Sequence, residues 1–192
     1  MTNNVIKGVL VGLLLAVSTS TAFAAGPYVG VAGGVSIVHD SDVKIPGYTT
    51  GTTKYDTGVG VNVSVGGSSE GAGRFEGEFG YKTAGIKNSS YDAAVMSFMA
   101  NGYYDIKSES AVTPYFGAGI GVLNGELKVG GYKADDTVFG YQFMVGTGIS
   151  VSKAVTLDLS YRFQGAATDL NIAGAKVSYM SSNIYGGIRL NF

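Results

Sequence analysis

The stretch Tyr179-Met180-Ser181-Ser182-Asn183-Ile184-Tyr185-Gly186-Gly187-Ile188-Arg189-Leu190-Asn191-Phe192 decides the fold. Ile184, Gly186, Ile188, Leu190 and Phe192 fall on one face of an extended chain, and Asn183, Tyr185, Gly187, Arg189 and Asn191 on the other. Successive side chains of a strand point to opposite faces, so the alternation specifies a β-strand with one apolar and one polar side. A helix would bring residues three and four apart together and mix the two sets.

The same alternation recurs toward the N-terminus, giving eight predicted strands at 28–37, 55–65, 74–83, 94–106, 113–123, 139–151, 155–164 and 179–192. The seventh is the cleanest, with Val155, Leu157, Leu159, Tyr161 and Phe163 opposite Thr156, Asp158, Ser160, Arg162 and Gln164. Each is long enough to cross a bilayer as a tilted strand, which takes about 9 to 11 residues. The gaps 39–54, 84–93, 124–137 and 165–178 are mostly long and polar, whereas the others are generally shorter, with 152–154 the tightest. This pattern predicts an all-β protein, an eight-stranded antiparallel up-and-down transmembrane β-barrel with short periplasmic turns and longer extracellular loops.

Composition sets the limits. The chain holds 31 Gly, no Cys and no Trp, and only 14% of its residues are charged, which suits tight turns and close strands rather than a disulfide-built domain. A formal net charge of -1 provides no basic field, so nucleic acid is not an expected partner. The one long apolar run follows Lys7, spans 8–17 and leads through small residues to Ala22-Phe23-Ala24. That order fits a cleavable signal peptide at 1–24 followed by a barrel domain at 25–192, and the run is short for a spanning helix.

A secreted soluble β-barrel or sandwich also alternates on a period of two, and side-chain volume argues against the soluble barrel. Its lumen would have to hold Phe75, Phe79, Tyr81, Phe98, Tyr104, Phe116, Phe139, Tyr141, Phe143 and Phe163, more than eight strands enclose. The opposite face carries Gly30, Gly34, Gly58, Gly60, Gly80, Gly117, Gly119, Gly121, Gly146 and Gly148, which fit a narrow interior. Aromatics near the strand ends form two expected girdles: Phe75, Tyr104, Phe116 and Phe192 on the periplasmic side, and Tyr81, Phe139, Tyr141 and Phe163 on the outer side. The inward face then contains Asp56, Glu76, Glu78, Lys82, Asp105, Asp158, Arg162 and Arg189. Isolated charges in a tight interior are costly, so a lumen charge network of Glu76, Glu78, Asp158, Arg162 and Arg189 is expected, with Glu76 and Glu78 facing Arg189 and Arg162. A solid polar plug is favoured over a gate or selectivity filter, because barrels of this size rarely leave a channel.

The whole of 25–192 resembles the small eight-stranded bacterial outer-membrane β-barrel family, the opacity-protein and OmpA/OmpX-type surface antigens also grouped as porin-family proteins. The stretches carrying the resemblance are Pro27-Tyr28-Val29-Gly30, Arg74-Phe75-Glu76-Gly77-Glu78-Phe79-Gly80-Tyr81, Ser97-Phe98-Met99-Ala100-Asn101-Gly102-Tyr103-Tyr104-Asp105, Thr113-Pro114-Tyr115-Phe116-Gly117-Ala118-Gly119-Ile120-Gly121 and Gly187-Ile188-Arg189-Leu190-Asn191-Phe192. The resemblance implies residence in the outer membrane among lipid and lipopolysaccharide. It also implies recognition by the barrel-assembly machinery through a C-terminal insertion signal, here Tyr185, Ile188, Leu190 and Phe192. Members share the scaffold and differ in loops that carry adhesion, serum resistance or immune exposure, so a structural, surface-exposed antigen is the expected function, with loops that suit either contact with host protein or glycan or an inert solvated surface.

The alternatives are a narrow passive pore and an outer-leaflet lipid-modifying enzyme. The lone histidine, His39 in His39-Asp40-Ser41-Asp42, is the residue on which such catalysis would rest. The resemblance to palmitoyl-transferring barrels stops there, with no Trp-rich interior or amphipathic leading helix, so no catalytic residue is assigned. Gly117-Ala118-Gly119-Ile120-Gly121 lacks nucleotide-loop spacing and lies within a strand, and Asp40 with Asp42, or Asp135 with Asp136, offers too few converging ligands. No cofactor and no metal are expected.

Overall fold

A computed structural model describes residues 26–44, 51–69, 71–87, 92–129, 132–172 and 174–192, so the predicted signal peptide lies outside the described residues. The strands are β1 (Pro27–Val38), β2 (Ser41–Lys44), β3 (Gly51–Thr53), β4 (Thr57–Ser68), β5 (Gly73–Gly85) and β6 (Asp92–Asp105), then β7 (Val112–Val129), β8 (Tyr132–Ser150), β9 (Val155–Ala166), β10 (Leu170–Ile172), β11 (Ala175–Val177) and β12 (Met180–Asn191). Eight of them close an antiparallel barrel in the order β1-β12-β9-β8-β7-β6-β5-β4. First and last strands meet, with Tyr28 opposite Asn191 and Val38 opposite Ser181, so every barrel strand is paired on both sides and no edge is left open inside the membrane.

Alternation sorts the side chains as the sequence predicts. Along β12, Ile184 and Ile188 face outward at 55% and 49% exposure, while Asn183 and Tyr185 are buried in the lumen. Large apolar side chains exposed on this scale form a lipid-facing surface, since water would penalise each of them. Phe75, Tyr104, Phe116 and Phe192 lie exposed at the periplasmic end, with the Tyr104 and Phe116 rings 5.4 Å apart. At the outer end Tyr81 and Phe139 are exposed, and Tyr141 packs 6.4 Å from Phe163.

Three expectations are corrected. The predicted outer loop 124–137 is mostly strand: β7 and β8 run on past the membrane as one hairpin, pairing Leu127 with Ala134. Above the bilayer a hairpin needs only backbone pairing, so polar residues such as Asn124, Asp135 and Asp136 do not interrupt it. The first and last outer loops likewise contain strand, because β10, β11, β2 and β3 form a separate four-stranded sheet in that order. Finally, β4 begins at Thr57, Tyr55 makes an isolated bridge with Ile86, and Asp56 stands exposed at the rim rather than inside the lumen.

Candidate functional site

Lumen-facing residues divide into two storeys. The lower one is polar and built around three buried or half-buried cations. Arg162 on β9 pairs with Glu78 on β5, and Gln142 Nε2 donates to the same carboxylate at 3.2 Å. Arg189 Nη2 lies 3.1 Å from Asp158 Oδ2, and the Tyr115 hydroxyl donates to the other oxygen of Asp158. Arg74 Nε lies 2.7 Å from Asp105 Oδ2, with its guanidinium 4.5 Å and 4.8 Å from the centres of the Tyr103 and Tyr115 rings. Planar guanidinium groups stack on aromatic faces while forking toward carboxylates, so each arginine here is held by both charge and shape.

The expected partner of Arg189 was Glu76, and the structure does not bring them together as an ion pair. Glu76 instead accepts hydrogen bonds from the Tyr28 and Tyr103 hydroxyls, both at 3.0 Å, and from Asn101 Nδ2 at 3.3 Å. Three neutral donors satisfy the buried Glu76 carboxylate directly, with Arg162 near enough to add electrostatic attraction, and Arg189 pairs with Asp158 instead. Arg74 was absent from the predicted network although it shares the parity of Glu76 and Glu78, which was the available signal.

Glycine makes room for this network. A Cβ on Gly60 would run into the Tyr185 hydroxyl, and one on Gly34 would sit 2.9 Å from Tyr185 Cδ1. Two neighbouring strands therefore give up side chains so that one tyrosine can lie across the lumen. The free space left among Arg74, Glu78, Tyr103, Arg162 and Arg189 is about 30 Å³. That is the volume of about one water molecule, so the lower storey is a plug.

The upper storey is apolar, which the sequence reading did not anticipate. Val95, Met99, Leu123 and Val138 from the barrel wall, Tyr179, and Leu170 and Ile172 from β10 form one buried cluster. Beside it lies a chamber of about 190 Å³ lined by Val95, Leu127, Leu170, Ile172 and Tyr179 among others. Lys82 is also in its lining; it is buried, and its Nζ donates to Gln164 Oε1 at 2.6 Å. The parity of Val95 with Ser97, Met99 and Asn101 could have revealed this storey, since those residues share the inward face.

The four-stranded loop sheet is tied to the barrel from above. The backbone N–H of Asn171 donates to Asp136 Oδ2 at 2.7 Å, and Ser41 Oγ donates to the Ser178 carbonyl at 2.7 Å. His39 is exposed on the outer side of the barrel, its Nε2 2.9 Å from Ser182 Oγ, which in turn lies 2.9 Å from the Tyr161 hydroxyl. Its ring stands edge-on to Phe163 at 6.2 Å. The structure therefore places His39 in the outer aromatic belt beside Ser182. Of the insertion-signal residues, Ile188, Leu190 and Phe192 face outward and Tyr185 faces the lumen. No cluster of three or more His, Cys, Asp or Glu suited to a metal occurs among the described residues.

Comparison with known proteins agrees with this architecture. Neisserial surface protein A superposes with a TM-score of 0.65 at 22% identity, covering 88% of this chain and 98% of that one. The outer membrane protein OprG of Pseudomonas aeruginosa superposes with a TM-score of 0.58 at 15% identity, covering 88% and 97%. At these identities the likeness is one of fold. In sequence, the chain is 32% identical over 110 residues to the outer membrane protein PagN of Salmonella typhimurium, covering 52% of this chain. The match spans 42% of that relative's length. The family model described as outer membrane protein beta-barrel domain matches residues 8–192. With a closed barrel, a lipid-facing apolar belt and that match over nearly its whole length, the chain belongs to the outer-membrane protein beta-barrel domain family and resides in the bacterial outer membrane.

Proposed function

We propose that this protein is a surface-exposed adhesive antigen whose outer loops contact host protein or glycan. The observation that carries the reading is the loop sheet: β2 from the first outer connection pairs with β11 from the last, joining the β2–β3 and β10–β11 hairpins into one sheet. Loops that serve only as connections have no need of such pairing. A surface held by backbone hydrogen bonds loses less conformational entropy when a partner binds, so it supports affinity that free loops would not. Its exposed residues include Thr52, Asn171 and Lys176, which offer hydrogen-bonding and cationic contacts of the kind glycans and protein backbones accept.

The barrel beneath acts as a membrane anchor, and the filled lower lumen argues against a pore. His39 has a serine and a phenylalanine ring for partners and, among the described residues, no hydrogen bond to a carboxylate that would orient it as a base, so no enzymatic role is assigned. Insertion would use Tyr185, Ile188, Leu190 and Phe192 of β12 as the signal to the barrel-assembly machinery.

Replacing the Leu170 to Val177 hairpin by a short Gly-Ser turn tests the adhesive reading. Binding of expressing cells to host cells and matrix should fall while the barrel still migrates as a heat-modifiable species. Unchanged binding by the correctly inserted variant would refute it.

A further inference from the structure

The chamber under the loop sheet has a feature that packing alone does not call for: a lysine at its polar boundary. Val95, Leu127, Leu170 and Ile172, with Glu126 also in the lining, bound a mainly apolar space of about 190 Å³. That exceeds the ~150 Å³ at which an apolar protein cavity accommodates a benzene molecule. Lys82 joins the same lining, is 5% exposed, and has the neutral Gln164 amide as its hydrogen-bond acceptor at 2.6 Å. No ion pair to Lys82 is formed among the described residues, since Glu78 is engaged by Arg162. The buried ammonium group feels Glu78 only in company with Arg162, and its hydrogen-bond acceptor is a neutral amide, which leaves it able to meet an anion at the chamber boundary.

We infer that this chamber binds a single-chain amphiphile with an anionic head, of the medium-chain alkyl carboxylate class. The carboxylate takes Lys82 Nζ, and the alkyl chain lies among Val95, Leu127, Leu170 and Ile172 under the β10 strand. Size selects a free carboxylate over a membrane lipid, because a phospholipid or lipid A brings two or more acyl chains to a space that holds part of one. An access route is marked at the outer rim: a second, polar concavity of about 650 Å³, lined by His39, Asp40, Asp56 and Lys87, shares Val38 and Tyr55 with the chamber wall. The ligand site lies below the surface that the adhesive reading uses, so either can fail without the other.

The test is calorimetric titration of the folded barrel in phosphatidylcholine nanodiscs with sodium hexanoate, sodium octanoate and 1-octanol, with empty nanodiscs as the blank. Saturable octanoate binding is expected, about fourfold tighter than hexanoate for each methylene added. Lys82→Met should weaken octanoate at least about tenfold, as loss of a hydrogen bond to a charged group does, while leaving 1-octanol within twofold. Leu170→Trp, which fills the chamber from a strand outside the barrel wall, should abolish saturable binding of both while heat-modifiability persists. Absence of saturable octanoate binding to the unsubstituted protein would overturn the inference. So would equal octanoate affinity in Lys82→Met, or undiminished binding in Leu170→Trp.

Discussion

Removing the Arg162 side chain isolates the energetic role of the plug. In Arg162→Met, Glu78 keeps its hydrogen bond from Gln142 but loses its cation, and it remains buried at 5% exposure. Breaking a buried ion pair by deleting one partner costs about 3 to 5 kcal/mol, because the surviving charge is left uncompensated. The double substitution Glu78→Gln with Arg162→Met removes the orphan charge and retains a neutral acceptor for Gln142, so most of that cost should return, leaving about 1 to 2 kcal/mol from lost packing. Urea unfolding of the inserted protein in liposomes, followed by the loss of the fast-migrating unboiled band, reads both values. A cost below about 1 kcal/mol for the single substitution, or a double variant as unstable as the single one, would refute the view that Arg162 and Glu78 compensate each other inside the barrel.

Gly60→Ala should cost about 1 to 3 kcal/mol by overpacking against Tyr185, and Tyr185→Phe should relieve it in the double variant, as read by the same unfolding assay. Tyr185→Phe alone should be neutral or slightly stabilising, because its hydroxyl has no hydrogen-bond partner among the described residues. In planar bilayers the protein should carry no steady ionic current, since the pocket among Arg74, Glu78, Arg162 and Arg189 is only about 30 Å³ and the side chains around it are hydrogen-bonded across the lumen; an ohmic channel would contradict the plug. Asp136→Ala removes the acceptor of the Asn171 amide, so hydrogen exchange at 170–177 should accelerate about tenfold with the barrel strands unchanged.

Face assignment was legible because period two is a local property and the lipid side is strongly apolar. Val155 to Phe163 needed no tertiary information to declare which residues turn outward. Partner choice inside the lumen was less legible: parity states that Glu76 and Arg189 both point inward but not at what height, which depends on strand tilt and stagger around the closed barrel. Glu76 consequently found three neutral donors, and Arg189 found Asp158. The loop sheet was hidden for another reason. β3, β10 and β11 have three residues each, too few to display a period, and the β2–β11 pairing that unites the sheet joins residues more than a hundred positions apart. The apolar upper storey went unread because Val95, Leu123 and Val138 look like ordinary strand residues until the membrane's upper boundary is placed on them.

The most direct measurement is a spin-label accessibility scan along β12, which the absence of native cysteine makes clean. Single replacements Asn183→Cys, Ile184→Cys, Ile188→Cys, Arg189→Cys and Leu190→Cys in the reconstituted protein would be probed with oxygen, which concentrates in the bilayer, and with a polar nickel chelate. High oxygen collision rates are predicted at 184, 188 and 190 and low rates for both reagents at 183 and 189. An inverted pattern, or free access of the chelate to 184 and 188, would contradict a strand that faces lipid on one side and a plugged lumen on the other.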